Sequence, residues 1–594
     1  MGARASPSVG RRSIVWAAVM GAGCTAPSGP AVAVTPTAEV ERPRAETPAP
    51  PLAADPQPPR LVGLGDPGAS SSALALAELA GAPVALLADE DEQRLTLIDL
   101  DDLEVLASLE LPGRPAHVVV AQEGRIYVSV RDRDLVVAVA VGCTPDDLAC
   151  APALSLAGRF VTRSEPIAMT LDPTESTLWV SCGRGSALQA LAVDPAGAAL
   201  VVPVAAEPRG VVLSPDGEDA FIAHALGSRM SVVSTSARAV ALERSLDWRD
   251  DVTIDGMVLA NTPRFAVQGH AIALDDERVR TPMVAAYPGE EGTESSGYGA
   301  AVEGLDPYFP HEPVLVSMAR DGGDARLQTL GSAQPVDAAR RSQQRRRYKK
   351  GQRPCLLPRS VAMDRRRGHL LVACADLGEV VAYALGDGAL GRAAAHRWSI
   401  GAGAIAVALD AGRDTAWAWS QFERRLAPIE LDGSLSERAL VVPAQAEVVA
   451  AEGRALFHAP LAFDGRSCAG CHVDGRDDGL TWRSPTGMVA TPVLAGRVAD
   501  AEPFGWHGER PDLVAHMKRT FKRLRADKPD PATLDALAAY LATMPTFDAG
   551  ADALTTQELR GLAIFNGADT ECADCHIDGA GVDGLTHRVG TGRA

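Results

Sequence analysis

One unit recurs along the middle of the chain and limits the fold more than any other feature. A Pro or Gly opens an apolar strand, a turn rich in Asp and Gly follows, and a second apolar strand closes the unit. It reads PAHVVVAQEGRIYVSV from Pro115, PIAMTLDPTESTLWVSC from Pro166 and PRGVVLSPDGEDAFIAH from Pro208, with weaker copies from Gly269, Pro358 and Gly403. VALLADEDEQRLTLIDLD from Val84 is an opening half-blade. Between residues 61 and 445 the short Val, Ala, Leu and Ile runs have the period of strands, with hardly any of helical period. Most anchors stand about 40 to 60 residues apart, the length of one four-stranded blade. The region is therefore expected to form an all-β propeller of about seven blades. Blades bury their cores against one another, so this part is expected to fold without the rest of the chain.

These repeats resemble the YVTN-type and lactonase-like propellers over some 360 residues. The gap from Gly269 to Pro358 is too long for one blade, and residues 286–352 are read as an inserted loop carrying the basic stretch RRSQQRRRYKKGQR, Arg340 to Arg353. The bland reading of that stretch is a solvated loop; the functional one is a docking patch for an acidic surface. His117, His224, His270, His369 and His396 share no ligand spacing and are read as structural or surface groups. A propeller by itself settles no chemistry.

The chemistry lies further on. Cys468, Cys471 and His472 form one Cys-x-x-Cys-His motif, and Cys572, Cys575 and His576 form another. Two thiols three positions apart suit thioether bonds to the two vinyl groups of a haem, and the adjacent His suits its iron. Zinc or a redox dithiol is the competing reading, but both motifs sit in one duplicated frame. EGRALFHAPLAFDGRSCAGCHVDGRDDGLTWRSPTG matches LRGLAIFNGADTECADCHIDGAGVDGLTHRVGTG. Each copy has an apolar helix ending at Phe457 or Phe565, then His-(Val or Ile)-Asp-Gly and Asp-Gly-Leu-Thr. Two covalent c-type haems are expected, with His472 and His576 as proximal iron ligands.

The region resembles the di-haem cytochrome c peroxidase and MauG-like family over about 150 residues. Thr491-Pro492-Val493-Leu494 is similar to that family's Thr-Pro-(Ser or Thr)-Leu segment, and PFGWHGERPDLVAHMKRTF from Pro503 places His507 near its Asp or His. The resemblance implies an all-α cytochrome module, in a first unit at 446–550 and a second at 551–594. No equivalent of the family's Gln and Glu pair is found. The second unit has only 18 residues after its motif, so it is expected to be half-covered or completed from elsewhere. For the distal side of the first iron the candidates are Met488, then His516, with His507 and Met517 behind them; Met517 also reads as core packing. His587 is the candidate at the second haem. His458 and Trp482 are expected to pack near the first.

The ends and the charge bound the setting. Arg11 and Arg12 precede a short apolar run that ends before Cys24, so residues 1–24 read as an export signal, and Gly21-Ala22-Gly23-Cys24 resembles a lipoprotein cleavage site. Arg11-Arg12 also resembles a twin-arginine signal. Residues 25–60 hold ten prolines and read as a tether. The expected location is the periplasm or cell envelope, either as a secreted protein or as one anchored to the membrane through a lipidated Cys24. No run of 18 apolar residues occurs. Net charge is −19, from 57 basic and 76 acidic residues, which disfavours nucleic acid and suits a basic redox partner or a small electron donor or acceptor. Cys143 and Cys150 are expected disulfide partners. The leading function is electron transfer, with the propeller as docking or substrate-binding scaffold. A peroxidase or MauG-like oxidoreductase comes second, and a propeller dehydrogenase or lactonase feeding the haems third.

Overall fold

The computed structural model describes residues 60–66, 68–143, 150–193, 199–254, 257–289, 311–330, 353–385, 394–434, 436–444, 450–462, 464–484, 487–498, 502–505, 508–544 and 556–576. The export signal, Cys24 and the tether up to residue 59 lie outside them, as do most of the basic stretch before Arg353, His507 and His587.

Seven antiparallel sheets follow one another in chain order, each a meander, and together they make a seven-bladed propeller. Blade 1 is a complete five-stranded sheet, Leu61–Gly63 through Glu104–Glu110, rather than the half-blade expected. Blades 2, 3 and 4 open at Pro115–Val120, Pro166–Leu171 and Pro208–Leu213, and blades 6 and 7 at Pro358–Asp364 and Ala404–Asp410. Each repeat anchor thus marks the innermost strand. Asp residues close the turns through their side chains: Asp89 accepts from the amides of Asp91 and Glu92, and Asp410 from that of Arg413. Leu74 and Leu87 of blade 1 pack with Ala406 and Trp419 of blade 7, which closes the ring by side-chain burial.

Blade 5 departs from the repeat. Its inner edge is divided, because Phe265–Val267 and Ala273–Leu274 each pair with a different part of Arg278–Ala286. Within the stretch 286–352, read as an insertion, His311–Ala319 and Arg326–Thr329 are strands of this blade. The expected insertion is therefore broken up, and the hairpin Trp248–Ile254/Met257–Val267 adds a further strand to the same blade.

In blades 2, 4 and 6 the innermost strand slips register just after its Pro, across His117, Arg209 and Arg359. A bulge re-aims the side chain it carries. These polar groups therefore gather at one end of the axis.

After residue 450 the chain turns helical: α1 Ala451–His458, α2 Cys468–Cys471, α3 Leu513–Arg523, α4 Pro531–Thr543, α5 Thr556–Phe565 and α6 Cys572–Cys575. It is not purely α, because Thr481–Ser484 and Gly487–Ala490 form a hairpin. Asp512 and Asp530 cap α3 and α4 by accepting from the amides of Ala515 and Thr533. Part of the propeller packs with the helical unit: Leu357, Ala375 and Ile405 cluster with Phe457, Ala469, Phe521, Leu537 and Met544.

Candidate functional site

The first Cys-x-x-Cys-His segment is a single turn held at both ends. Ser467 accepts from the Gly470 amide at 3.2 Å, and the His472 amide donates to the Cys468 carbonyl at 2.9 Å. The thiols of Cys468 and Cys471 are both free and lie one helical turn apart. Burial pushes the Cys468 thiol up to about 11 and that of Cys471 higher still. Burial also pulls the His472 imidazole down to about 4, opposed by the nearby backbone of Pro492 and Arg476. Its Nδ1 is nonetheless buried with no hydrogen-bond partner.

The Thr491–Leu494 segment arrives on the far side of the turn. Leu494 and Ala495 both donate to the Gly475 carbonyl, at 2.8 and 2.9 Å. Gly475 has φ +77, and a Cβ there would stand 2.8 Å from the Met544 sulfur, so only glycine fits where loop and α4 converge. Around this turn α1 lies against α4 so closely that a Cβ on Gly453 would meet the Ala536 carbonyl at 1.9 Å.

The turn is seated on the polar end of the propeller axis. Gln268, at the break in blade 5, donates to the carbonyls of Gly470 and Ala469 at 3.1 and 3.3 Å. His270 and Arg359 contact each other beside it. Asp474, two residues after His472, accepts from Arg131 at 2.9 Å and pairs with Arg209 at 3.0 Å. Its burial favours the neutral acid, yet Arg131, Arg209 and Arg476 hold its carboxyl well below the usual range. Trp482, on the hairpin, donates to Asp478 at 2.8 Å and stacks on His311 of blade 5 with ring centroids 5.2 Å apart. Val267, Val284 and Leu356 pack beside Trp482 and Cys471.

The distal candidates separate. Met488 sits on the hairpin opposite Arg483 and is half-buried. His516, on α3, is half-buried, and its ring is 6.2 Å from that of Phe504. It stands close enough to His472 to disfavour that ring's charged form. Met517, the next residue, belongs to the core. His458 packs against Phe422, Phe457 and Tyr540, where α1 meets the propeller.

The second motif repeats the local geometry. His576 has φ −97° and ψ 74°, against −103° and 75° at His472, and its amide donates to the Cys572 carbonyl at 3.1 Å. Its surroundings differ: Phe565 is 38% exposed where Phe457 is 2%, and a Cβ on Gly561 would meet nothing within 4 Å. Among the described residues no cluster of three or more His, Cys, Asp or Glu is arranged around a metal ion.

Cys143 pairs with Cys150 as expected, and Cys355 pairs with Cys374, a bridge the spacing did not reveal. The seat of Arg131, Arg209 and Gln268 was also missed. Its signal was a charged residue directly after an anchor Pro, as in Pro208-Arg209 and Pro358-Arg359, at the head of an apolar strand.

These features define a seven-bladed β-propeller protein with a C-terminal helical unit that bears Cys-x-x-Cys-His turns. No protein-family profile and no curated protein sequence matches the chain. Among solved structures, Kuenenia stuttgartiensis hydrazine synthase is similar at 13% identity, covering 66% of this chain and 100% of that one, with a TM-score of 0.43. Dihydro-heme d1 dehydrogenase NirN is 13% identical over 66% of this chain and 75% of its own, at 0.34. Staphylococcus aureus virginiamycin B lyase is 9% identical over 61% and 96%, at 0.36. Likenesses this low carry no argument about the site.

Proposed function

We propose that the chain is an exported c-type cytochrome of the electron-transfer class, carrying one covalent haem on Cys468 and Cys471 and a second on Cys572 and Cys575. One observation carries the reading: both Cys-x-x-Cys-His turns take the same backbone conformation, with all four thiols free and a His closing each turn. The donor set fits haem. Two free thiols one turn apart and a buried imidazole directly after them suit thioether attachment and one axial bond, whereas zinc needs four converging ligands, and no such cluster occurs among the described residues. A haem bound there supplies a one-electron redox centre.

The chain's own residues do the rest. Phe457, Phe521 and Met544 exclude water around the first turn, and low solvent access favours the reduced, less charged state. Met488, on the hairpin, and His516, on α3, are the distal candidates. The propeller serves as the seat of the first site. Two disulfides support an oxidising compartment, in keeping with export and a lipidated Cys24, and the acidic chain suits a basic redox partner.

The exposure of the second turn favours a second reading, a peroxidase or MauG-like oxidoreductase with an open haem at His576. Optical spectra of the purified protein separate the two. Electron transfer predicts two reducible c-type haems and slow peroxide turnover at most, with cyanide binding confined to the second. Fast peroxide turnover abolished by His576→Ala would establish the enzyme reading instead.

A further inference from the structure

The mouth of the propeller holds more charge than seating a turn requires. Arg131 follows the second strand of blade 2, and Arg209 lies in the bulge of blade 4. Each is bonded to a propeller carboxylate, Arg131 to Glu165 at 2.5 Å and Arg209 to Glu207 at 2.7 Å. Arg476, from the helical unit, reaches back to the same two carboxylates at 3.0 and 3.1 Å. Asp474 completes the ring, so three guanidinium groups alternate with three carboxylates across blades 2 to 4 and the turn that ends in His472. Arg209 and Glu165 are almost wholly buried, and salt screens such charges far less than surface ones. Glu90 of blade 1 adds a carboxylate 3.6 Å from Arg131, and removing any one member changes the charge of the cluster in a medium of low dielectric, close to the attachment turn.

The second copy lacks this arrangement in its sequence. Asp578 repeats Asp474, but Ala580 stands where the first copy has Arg476. Among the described residues the ring belongs to the first site.

We infer that Asp474 is a positioning residue that locks the first Cys-x-x-Cys-His turn into the propeller's arginine ring, and that the ring's charge balance sets the reduction potential of the haem attached there. The inference rests on the haem reading above. Reduction adds one electron and no bond changes, so a nearby negative charge opposes it and a nearby positive charge favours it. Asp474→Asn removes a negative charge and shifts the potential of the first haem upward. Arg476→Gln removes a positive charge and shifts it downward.

The test is a spectroelectrochemical titration, with dithionite as reductant, of the full chain carrying Cys572→Ala and Cys575→Ala so that only the first haem is read. Opposite shifts in the two variants support the ring, because general loosening of the fold moves both the same way. Shifts of the same sign, or none, overturn it. Should Asp474→Asn fail to fold, Glu207→Gln, on the propeller side, is predicted to shift upward, opposite to Arg476→Gln, and a downward or absent shift overturns the idea. Limited proteolysis reads the docking half without haem: Asp474→Asn is expected to release the helical unit several-fold faster, and an unchanged rate contradicts the lock. Intact mass distinguishes the two failures, since a chain with no mass added at Cys468 and Cys471 sinks the haem reading and leaves the lock to proteolysis.

Discussion

The two Cys-x-x-Cys-His turns share a backbone and differ in everything around it. At His472 the turn lies under α1, α4 and the propeller mouth, and the preceding Phe457 is buried. At His576 the same turn follows α5, whose Leu559 and Ile564 are each 53% exposed. The conformation from the first Cys to the His is thus set locally, by the short helix, while burial comes from partners distant in sequence.

Paired substitutions give the largest expected contrast. Phe457→Ala should cost about 3–5 kcal/mol in denaturant unfolding, because it empties a packed core position, whereas Phe565→Ala should cost under about 1 kcal/mol. The glycines should follow the same split. Gly453→Ala forces α1 off α4 and is expected to cost about 1–3 kcal/mol, while Gly561→Ala should be neutral or slightly stabilising through helix propensity. Equal effects in the two copies would break the comparison.

Acid should act on the first region by a smaller amount. Burial pulls His458, at the contact of α1 with the propeller, down to about 3. Between pH 6.5 and 3 the unfolded chain therefore binds the extra proton, and stability falls as pH drops through that window. The His458 share of the loss should be on the order of 1–2 kcal/mol by pH 5, and His458→Gln should make the acid slope shallower by that share, with His117 and His224 still contributing. An unchanged acid slope in the variant would show that His458 takes no part.

Much of the propeller was legible because each blade repeats its own turn chemistry: the anchors at Pro115, Pro166, Pro208, Pro358 and Gly403 all fall at or beside innermost strands. Blade 5 was misread because its inner edge is broken at Gln268, which interrupts the period that reveals the others. The two motifs were legible as local signals, and the seat was not, because Arg131, Arg209 and Asp474 are separated by hundreds of residues or lie in different repeats. The packing of the propeller against the helical unit was not legible for the same reason. Leu357 and Ala375 look like ordinary blade residues in sequence, yet they belong to the core of the helical unit.

Intact-mass measurement after expression with haem maturation tests the central claim most directly. The full chain should carry the mass of two haems, Cys468→Ala with Cys471→Ala should carry one, and Cys572→Ala with Cys575→Ala should carry the other. A chain of apo mass whose four motif thiols all react with an alkylating reagent would contradict it.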